Sequence, residues 1–86
     1  MALKREMMSI SSKDNVENLS NLLSPREKEC LTWAAKGKTN KEIAIILSLS
    51  ANSVNSYINS ASKKLNATSK MGAIVLAVSH GLIFPL

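Results

Sequence analysis

Residues 39–64, which read TNKEIAIILSLSANSVNSYINSASKK, decide the fold of this chain. Two runs suited to helices lie on either side of residues 47–50, and the first of them has one apolar face. The second run, residues 51–65, has a narrow apolar seam spaced by four, three and four residues: Val54, Ile58, Ala61 and Leu65. This spacing predicts two short helices joined by a tight turn.

The second run also carries a broad face of Asn and Ser side chains. A helix exposed to water is normally covered by Glu and Lys, whereas this one presents short amides and hydroxyls. Such a face suits close-range hydrogen bonding to a partner. The edges of base pairs in a DNA major groove offer donors and acceptors of that kind.

A further helix is predicted before this stretch. Ser24 is a capping residue, Pro25 occupies the first helical position, and Glu27 is placed to close a capping box. Gly37 ends this helix. A second capping box, Thr39 with Glu42, opens the helix of residues 39–47.

Another helix is predicted after the stretch, from about residue 70 to residue 80. Ser69 caps it and Gly81 terminates it. No period-two alternation occurs in the sequence, so no strands are expected. The predicted fold class is all-α, a compact four-helix domain preceded by a flexible or weakly helical N-terminal segment.

Apolar residues are expected to be buried on the helix of residues 39–47 and to share one face of the last helix. On the helix of residues 39–47 they are Ile43, Ala44, Ile46 and Leu47. On the last helix Ala73, Ile74, Ala77 and Val78 share one face, and the chain after it is expected to fold back through Leu82, Ile83 and Phe84.

Length and composition indicate one small domain. The 86 residues are 45% apolar with one Trp, one Tyr and one Phe, so Leu, Ile, Val and Ala must form the core. Residues 1–21 are interpreted as a leader or linker, with a short helix predicted over residues 12–23, and residues 22–86 as the folded domain.

Several classes of protein are disfavoured. The apolar runs are far shorter than a membrane span and no signal-peptide core follows Met1, so a cytoplasmic location is expected. Cys30 is the only cysteine, which excludes an internal disulfide. Cys30 and His80 do not make a metal site, no cofactor is expected, and no catalytic pattern supports an enzyme.

The net charge of +5 is unevenly distributed. Residues 1–23 carry three basic and three acidic side chains, whereas residues 24–86 carry eight basic and three acidic ones and so hold the whole excess. A basic domain of this size attracts polyanions, chiefly nucleic acid. Ordinary solubility charge is the alternative reading, and charge alone does not decide between them.

The order and spacing of several motifs resemble the LuxR-type (GerE-like) helix-turn-helix domain of bacterial transcription regulators. The similarity extends from about Leu22 to Ile83. It is carried by Leu23-Ser24-Pro25-Arg26-Glu27, Glu29, Ala34-Ala35, Gly37 to Ala44, Leu49-Ser50, Ser53-Val54, Lys64-Leu65, Ala73 and Gly81-Leu82-Ile83. The resemblance implies a four-helix domain whose second and third helices form the helix-turn-helix, with the third as the recognition helix.

The resemblance also implies particular contacts to double-stranded DNA. The base-contacting positions of the family fall on Asn55, Ser56 and Asn59, where relatives often have Lys or Arg at the first and last. Because Asn pairs bidentately with adenine and Arg favours guanine, the hypothesis is that this chain reads A·T-containing steps or binds DNA weakly. Phosphate contacts are expected at Lys38, Thr39, Asn40, Lys41, Ser50, Ser53, Lys63, Lys64 and Lys70.

The family further implies pairing of two subunits through the fourth helix on a two-fold-symmetric site, and often contact with RNA polymerase. The dimer interface is expected at Ile74, Ala77 and Val78. The function predicted is therefore a sequence-specific transcription regulator that binds DNA as a homodimer. The alternative is a helix-turn-helix protein that pairs with a full-length regulator and modulates or inhibits it.

Overall fold

The computed structural model describes residues 21–85, and four helices account for most of them. They are α1 (Pro25–Ala35), α2 (Asn40–Leu47), α3 (Ala51–Lys64) and α4 (Lys70–Ser79). No strand occurs among these described residues, so the all-α prediction is confirmed. The short helix predicted over residues 12–23 lies almost entirely outside the described residues.

Each helix begins at the hydroxyl residue that the sequence placed there. Ser24 and Thr39 form complete capping boxes with the third residue of α1 and α2, and Ser50 and Ser69 each accept one first-turn backbone N–H. These side chains satisfy donors that helix geometry leaves unpaired. The helix starts are therefore fixed by local chemistry.

The ends of α1 and α4 are also determined by single local residues, here glycines. Gly37 has a φ of 92° and Gly81 a φ of 70°, the left-handed conformation that glycine adopts without strain. After α2 the left-handed residue is Ser48, whose φ is 57° and ψ 46°. The backbone N–H of Leu49 then donates to the carbonyl of Ala44 at 2.8 Å, which closes the turn between α2 and α3.

The helix α3 lies at the centre of the domain and packs against each of the other three. Its predicted seam is confirmed, since Val54, Ile58 and Ala61 are buried and Leu65, just after the helix, is half-buried against the core. Leu31 and Ile43, from α1 and α2, are also completely buried. The orientation of α3 is thus set by contacts on several sides.

Two predictions about the core were wrong. Ile46 is 42% exposed because α2 packs only against α1 and α3, and this short helix buries Ile43 and Ala44 alone. Leu82 and Ile83 do fold back onto the core, but Phe84 is 74% exposed.

Candidate nucleic-acid interface

The side of α3 opposite its buried seam is open to solvent over its whole length. We define the outer face of α3 as Asn52, Asn55, Ser56, Asn59 and Lys63, all of which are exposed. The three residues predicted to contact bases are in this set, and none is sealed inside the monomer. Asn52 was not predicted, although its spacing of four from Ser56 and seven from Asn59 places it on the same side.

The polar groups of the outer face have no internal role. Within residues 21–85 no side chain of this face hydrogen-bonds to another protein group. An amide that has neither a cap nor a neighbour to bond keeps all its donors and acceptors for a partner. At about 1.5 Å per residue, the face extends roughly 16 Å along the helix axis.

Five of the predicted phosphate contacts lie together at one end of α2. Lys38, Thr39 and Lys41 are exposed there, and Asn40 is half-buried. Lys70, thirty residues later at the start of α4, reaches this group, because its Nζ donates to Asn40 Oδ1 at 3.1 Å. The fold therefore joins the amino ends of α2 and α4 into one basic cluster.

The negative charge of Glu42 weakens the attraction of the amino end of α2 for an anion. Its Oε1 accepts from the backbone N–H of Thr39 at 2.8 Å, while the Thr39 hydroxyl accepts from the N–H of Glu42 at 3.2 Å. The bond from the Thr39 backbone lowers the pKa of Glu42, so this carboxyl is held ionised. Attraction for phosphate must then come from the lysine side chains more than from the helix dipole.

Ser50 and Ser53 are also engaged with each other. Ser50 Oγ accepts from the backbone N–H of Ser53 at 3.0 Å, and the two hydroxyl oxygens lie 3.0 Å apart. Ser50 is exposed and Ser53 is half-buried. The Ser50 hydroxyl caps α3 and donates to Ser53, which leaves Ser50 little capacity for a phosphate, whereas Ser53 keeps its hydroxyl hydrogen.

The adjacent residues Lys63 and Lys64 point to different environments. Lys63 belongs to the outer face, whereas Lys64 Nζ lies 2.9 Å from Oε1 of the buried carboxylate of Glu27. Both were predicted to contact phosphate. The ion pair gives Lys64 a structural role, so Lys63 is the freer of the two.

Glu27 connects the start of α1 to α3. Its Oε1 accepts from the backbone N–H of Ser24 at 2.7 Å and from Lys64, and its Oε2 accepts from the hydroxyl of Ser60 at 2.6 Å. Burial by itself raises the pKa of Glu27, but the bonds from Ser60, Ser24 and Lys64 outweigh it and the pKa is lowered. The sequence indicated only the capping role, because Ser60 and Lys64 are 33 and 37 residues away.

The predicted dimer residues on α4 divide between surface and core. Ala77 is completely buried in the monomer and cannot present its side chain to a second subunit, and Ile74 is half-buried. The exposed apolar stripe of α4 instead consists of Met71, Val75 and Val78, which are 67%, 54% and 45% exposed. Apolar residues lie on nearly all sides of α4, so the sequence did not show which side faces the core.

Two other features, a metal cluster and a membrane-spanning helix, are absent from the described part of the chain. Among residues 21–85 no three His, Cys, Asp or Glu side chains cluster as a metal site would require. None of the four helices combines the length and apolar character needed to cross a bilayer.

The chain is similar to curated transcription regulators. It is 44% identical over 69 residues to the quorum sensing-dependent transcriptional regulator VjbR of Brucella abortus, 80% of this chain and 27% of VjbR. It is 50% identical over 60 residues to the regulatory protein SdiA of Escherichia coli K12, 70% of this chain and 25% of SdiA. It is 41% identical over 63 residues to the transcriptional activator AhyR of Aeromonas hydrophila, 73% of this chain and 24% of AhyR.

The chain spans about a quarter of the length of these relatives. The family described as bacterial regulatory proteins, luxR family, matches residues 21–77, which include α1, α2, α3 and most of α4. By their names, VjbR and AhyR regulate or activate transcription, and SdiA is a regulatory protein. The chain therefore belongs to the luxR family of bacterial regulatory proteins.

Proposed function

We propose that this chain is a sequence-specific DNA-binding transcription regulator that places α3 in the major groove and acts as a dimer. The observation that carries the proposal is the outer face of α3, whose amides and hydroxyl are exposed and have no hydrogen-bond partner within residues 21–85. An α-helix fits the major groove, and there each base pair presents a distinct pattern of donors and acceptors.

The residues proposed to read bases are Asn55, Ser56 and Asn59. An Asn amide donates to adenine N7 and accepts from adenine N6, so two such residues favour A·T-containing steps. The family resemblance supports these positions, and their exposure in the monomer is compatible with groove contact. These three positions carry no Lys or Arg, so we expect the target sequence to differ from those of relatives that have basic residues there.

The residues proposed to contact phosphates are foremost Lys38, Lys41, Lys63 and Lys70. These lysines are exposed on the amino ends of α2 and α4 and on the outer face of α3. The weaker contacts in the proposal are residues whose side chains already bond to another protein group: Thr39, Asn40, Ser50, Ser53 and Lys64. Lys70 also donates to Asn40, but its ammonium keeps two further N–H donors for a phosphate. Phosphate contacts position the helix without reading sequence.

Dimerisation is proposed through the exposed stripe of α4, residues Met71, Val75 and Val78, with Ile74 at its edge. One domain of this size buries only about 600–1,000 Å² of protein surface on DNA. Pairing two copies on adjacent half-sites raises the affinity without any new base contact. The regulator is proposed to act in the cytoplasm, where RNA polymerase or a larger regulator would be its protein partner.

Selection of binding sites from random duplex DNA tests the proposal. We expect enrichment of a two-fold-symmetric site containing A·T pairs, and loss of that preference in Asn55→Ala and Asn59→Ala. If about five phosphates are contacted, affinity should fall roughly 500-fold between 50 and 200 mM salt. A chain that enriches no sequence and shows no salt-dependent binding would refute the proposal.

A second candidate function is pairing with a full-length regulator to modulate or inhibit it. The apolar stripe of α4 and the Asn residues where relatives often have Lys or Arg favour this candidate. Salt-dependent DNA binding by the isolated chain separates the two. A chain that forms mixed dimers but binds no duplex would support pairing, and a chain that binds its own site would support direct regulation.

A further inference from the structure

We propose that Asn52 is a specificity-determining residue, whose amide reads a base pair beyond those faced by Asn55, Ser56 and Asn59. The inference rests on the proposed binding of DNA through α3. The inference adds Asn52 to the three residues proposed to contact bases. Asn52 lies about one turn nearer the start of α3, at a position that neither the sequence nor the family resemblance had indicated.

The position of Asn52 is the first observation. Asn52 is the second residue of α3 and is exposed, and its amide has no partner within residues 21–85. In helix-turn-helix proteins the N-terminal residues of the recognition helix contact base edges. Asn52 therefore has both the location and the free donors and acceptors that base reading requires.

The absence of a structural duty for Asn52 is the second observation. An Asn near a helix start usually serves as the cap, but Ser50 already accepts the backbone N–H of Ser53 at 3.0 Å. Asn is also a middling helix former, and an acidic residue in the first turn would suit the helix dipole better. Helix stability therefore does not explain why position 52 is Asn. Binding to DNA does, because the negative charge of DNA would repel an acidic residue at this position.

The alignment of Asn52 with the rest of the outer face is the third observation. Ser56, Asn59 and Lys63 follow it at spacings of four, three and four, so all four lie on one side of α3. At about 1.5 Å per residue, Asn52 and Asn59 are roughly 10 Å apart along the axis. That distance is about three base-pair steps, so the two amides face different base pairs.

The test compares sites selected from random duplex DNA by the wild-type chain and by Asn52→Ala. We expect the variant to keep the preferences assigned to Asn55 and Asn59 and to lose the preference at one adjacent base pair. Its affinity for the wild-type site should fall about tenfold, the discrimination of one bidentate contact. Asn66→Gly is the matched control, because Asn66 is an exposed amide after α3 with a φ of 60° that glycine accepts.

The outcomes separate the inference from the proposed function. Asn52→Ala selecting the full wild-type site would overturn the inference alone, as would an equal loss of affinity on every sequence, which marks a phosphate contact. A wild-type chain that selects no site would overturn both. Asn52→Asp distinguishes binding from folding, since we expect unchanged or higher thermal stability together with loss of DNA binding.

Discussion

The carboxylate of Glu27 accepts hydrogen bonds from the cap of α1 and from two residues of α3, Ser60 and Lys64. Ser60 and Lys64 lie one turn apart on the same helix. A carboxylate that holds both fixes the rotation of α3 about its axis, and with it the direction of the outer face. Under the proposed function, Glu27 therefore influences DNA recognition without touching DNA.

Substitution of Glu27 by Gln should destabilise the domain by about 2 kcal/mol at pH 7, because the Lys64 ammonium loses its partner and the Ser60 bond weakens. The folded state lowers the pKa of Glu27, so its contribution is present above the ordinary pKa and is lost as the pH falls through the lowered one. Urea denaturation at pH 7 and at pH 3 measures this.

We expect the Glu27→Gln deficit to shrink in acid, because the contribution of the ionised carboxylate declines as the pH falls below its ordinary pKa. Glu42→Gln is the comparison variant, since Glu42 closes a similar capping box but bonds to no other helix among residues 21–85. The difference between the two variants therefore reports the bonds of Glu27 to Ser60 and Lys64. A deficit of equal size at both pH values would show that the charge of Glu27 contributes nothing to stability.

Among the helices, α3 both packs into the core and presents a face to solvent. Its seam of Val54, Ile58 and Ala61 packs against three helices, and its outer face stays free. The seam spacing was enough to predict both sides. The partner of α3 in the motif, α2, depends on a turn whose left-handed residue is a serine and not a glycine.

Replacement of Ser48 by Gly should stabilise the domain by about 0.5 kcal/mol. A left-handed conformation costs an ordinary L-residue about 1 kcal/mol, and the greater freedom of glycine in the unfolded chain offsets part of that gain. Thermal denaturation compares Ser48→Gly with Asn66→Gly. Asn tolerates this conformation better than Ser, so the second change should stabilise less.

A lower melting temperature for Ser48→Gly would show that the Ser48 side chain contributes something beyond conformation. DNA affinity should stay as in the wild type, because Ser48 lies outside the outer face.

The sequence alone did not predict bonds between residues far apart in the chain, or which side of the apolar helix α4 is buried. Local caps and the seam of α3 were predictable because their partners lie within four residues. The bonds of Glu27 to Ser60 and Lys64 were not, since they join separate helices. Ala77 was assigned to the dimer interface from the family resemblance, and only the packing of α4 against α1 and α3 reveals that Ala77 is buried.

For the whole molecule, the proposed dimer depends on the exposed stripe of α4. Changing Val75 and Val78 together to Asn should abolish cooperative binding to paired half-sites, with a loss on the order of 100-fold. Val and Asn have similar helix propensities and both positions are exposed, so the monomer should stay folded. Mobility-shift titration on paired and single half-sites measures the effect.

Affinity for a single half-site serves as the internal control and should not change. If the double variant bound paired half-sites as tightly as the wild type, dimerisation through α4 would be excluded. Ile45→Asn provides a second control, since it removes an exposed apolar side chain from α2.

The most direct measurement follows the side-chain amide signals of the ¹⁵N-labelled chain by NMR while a selected duplex is added. We predict that the Asn52, Asn55 and Asn59 amides shift or broaden first and most, and that the Asn66 amide changes little. Unchanged signals from those three asparagines, with perturbations confined to α4, would contradict insertion of α3 into DNA.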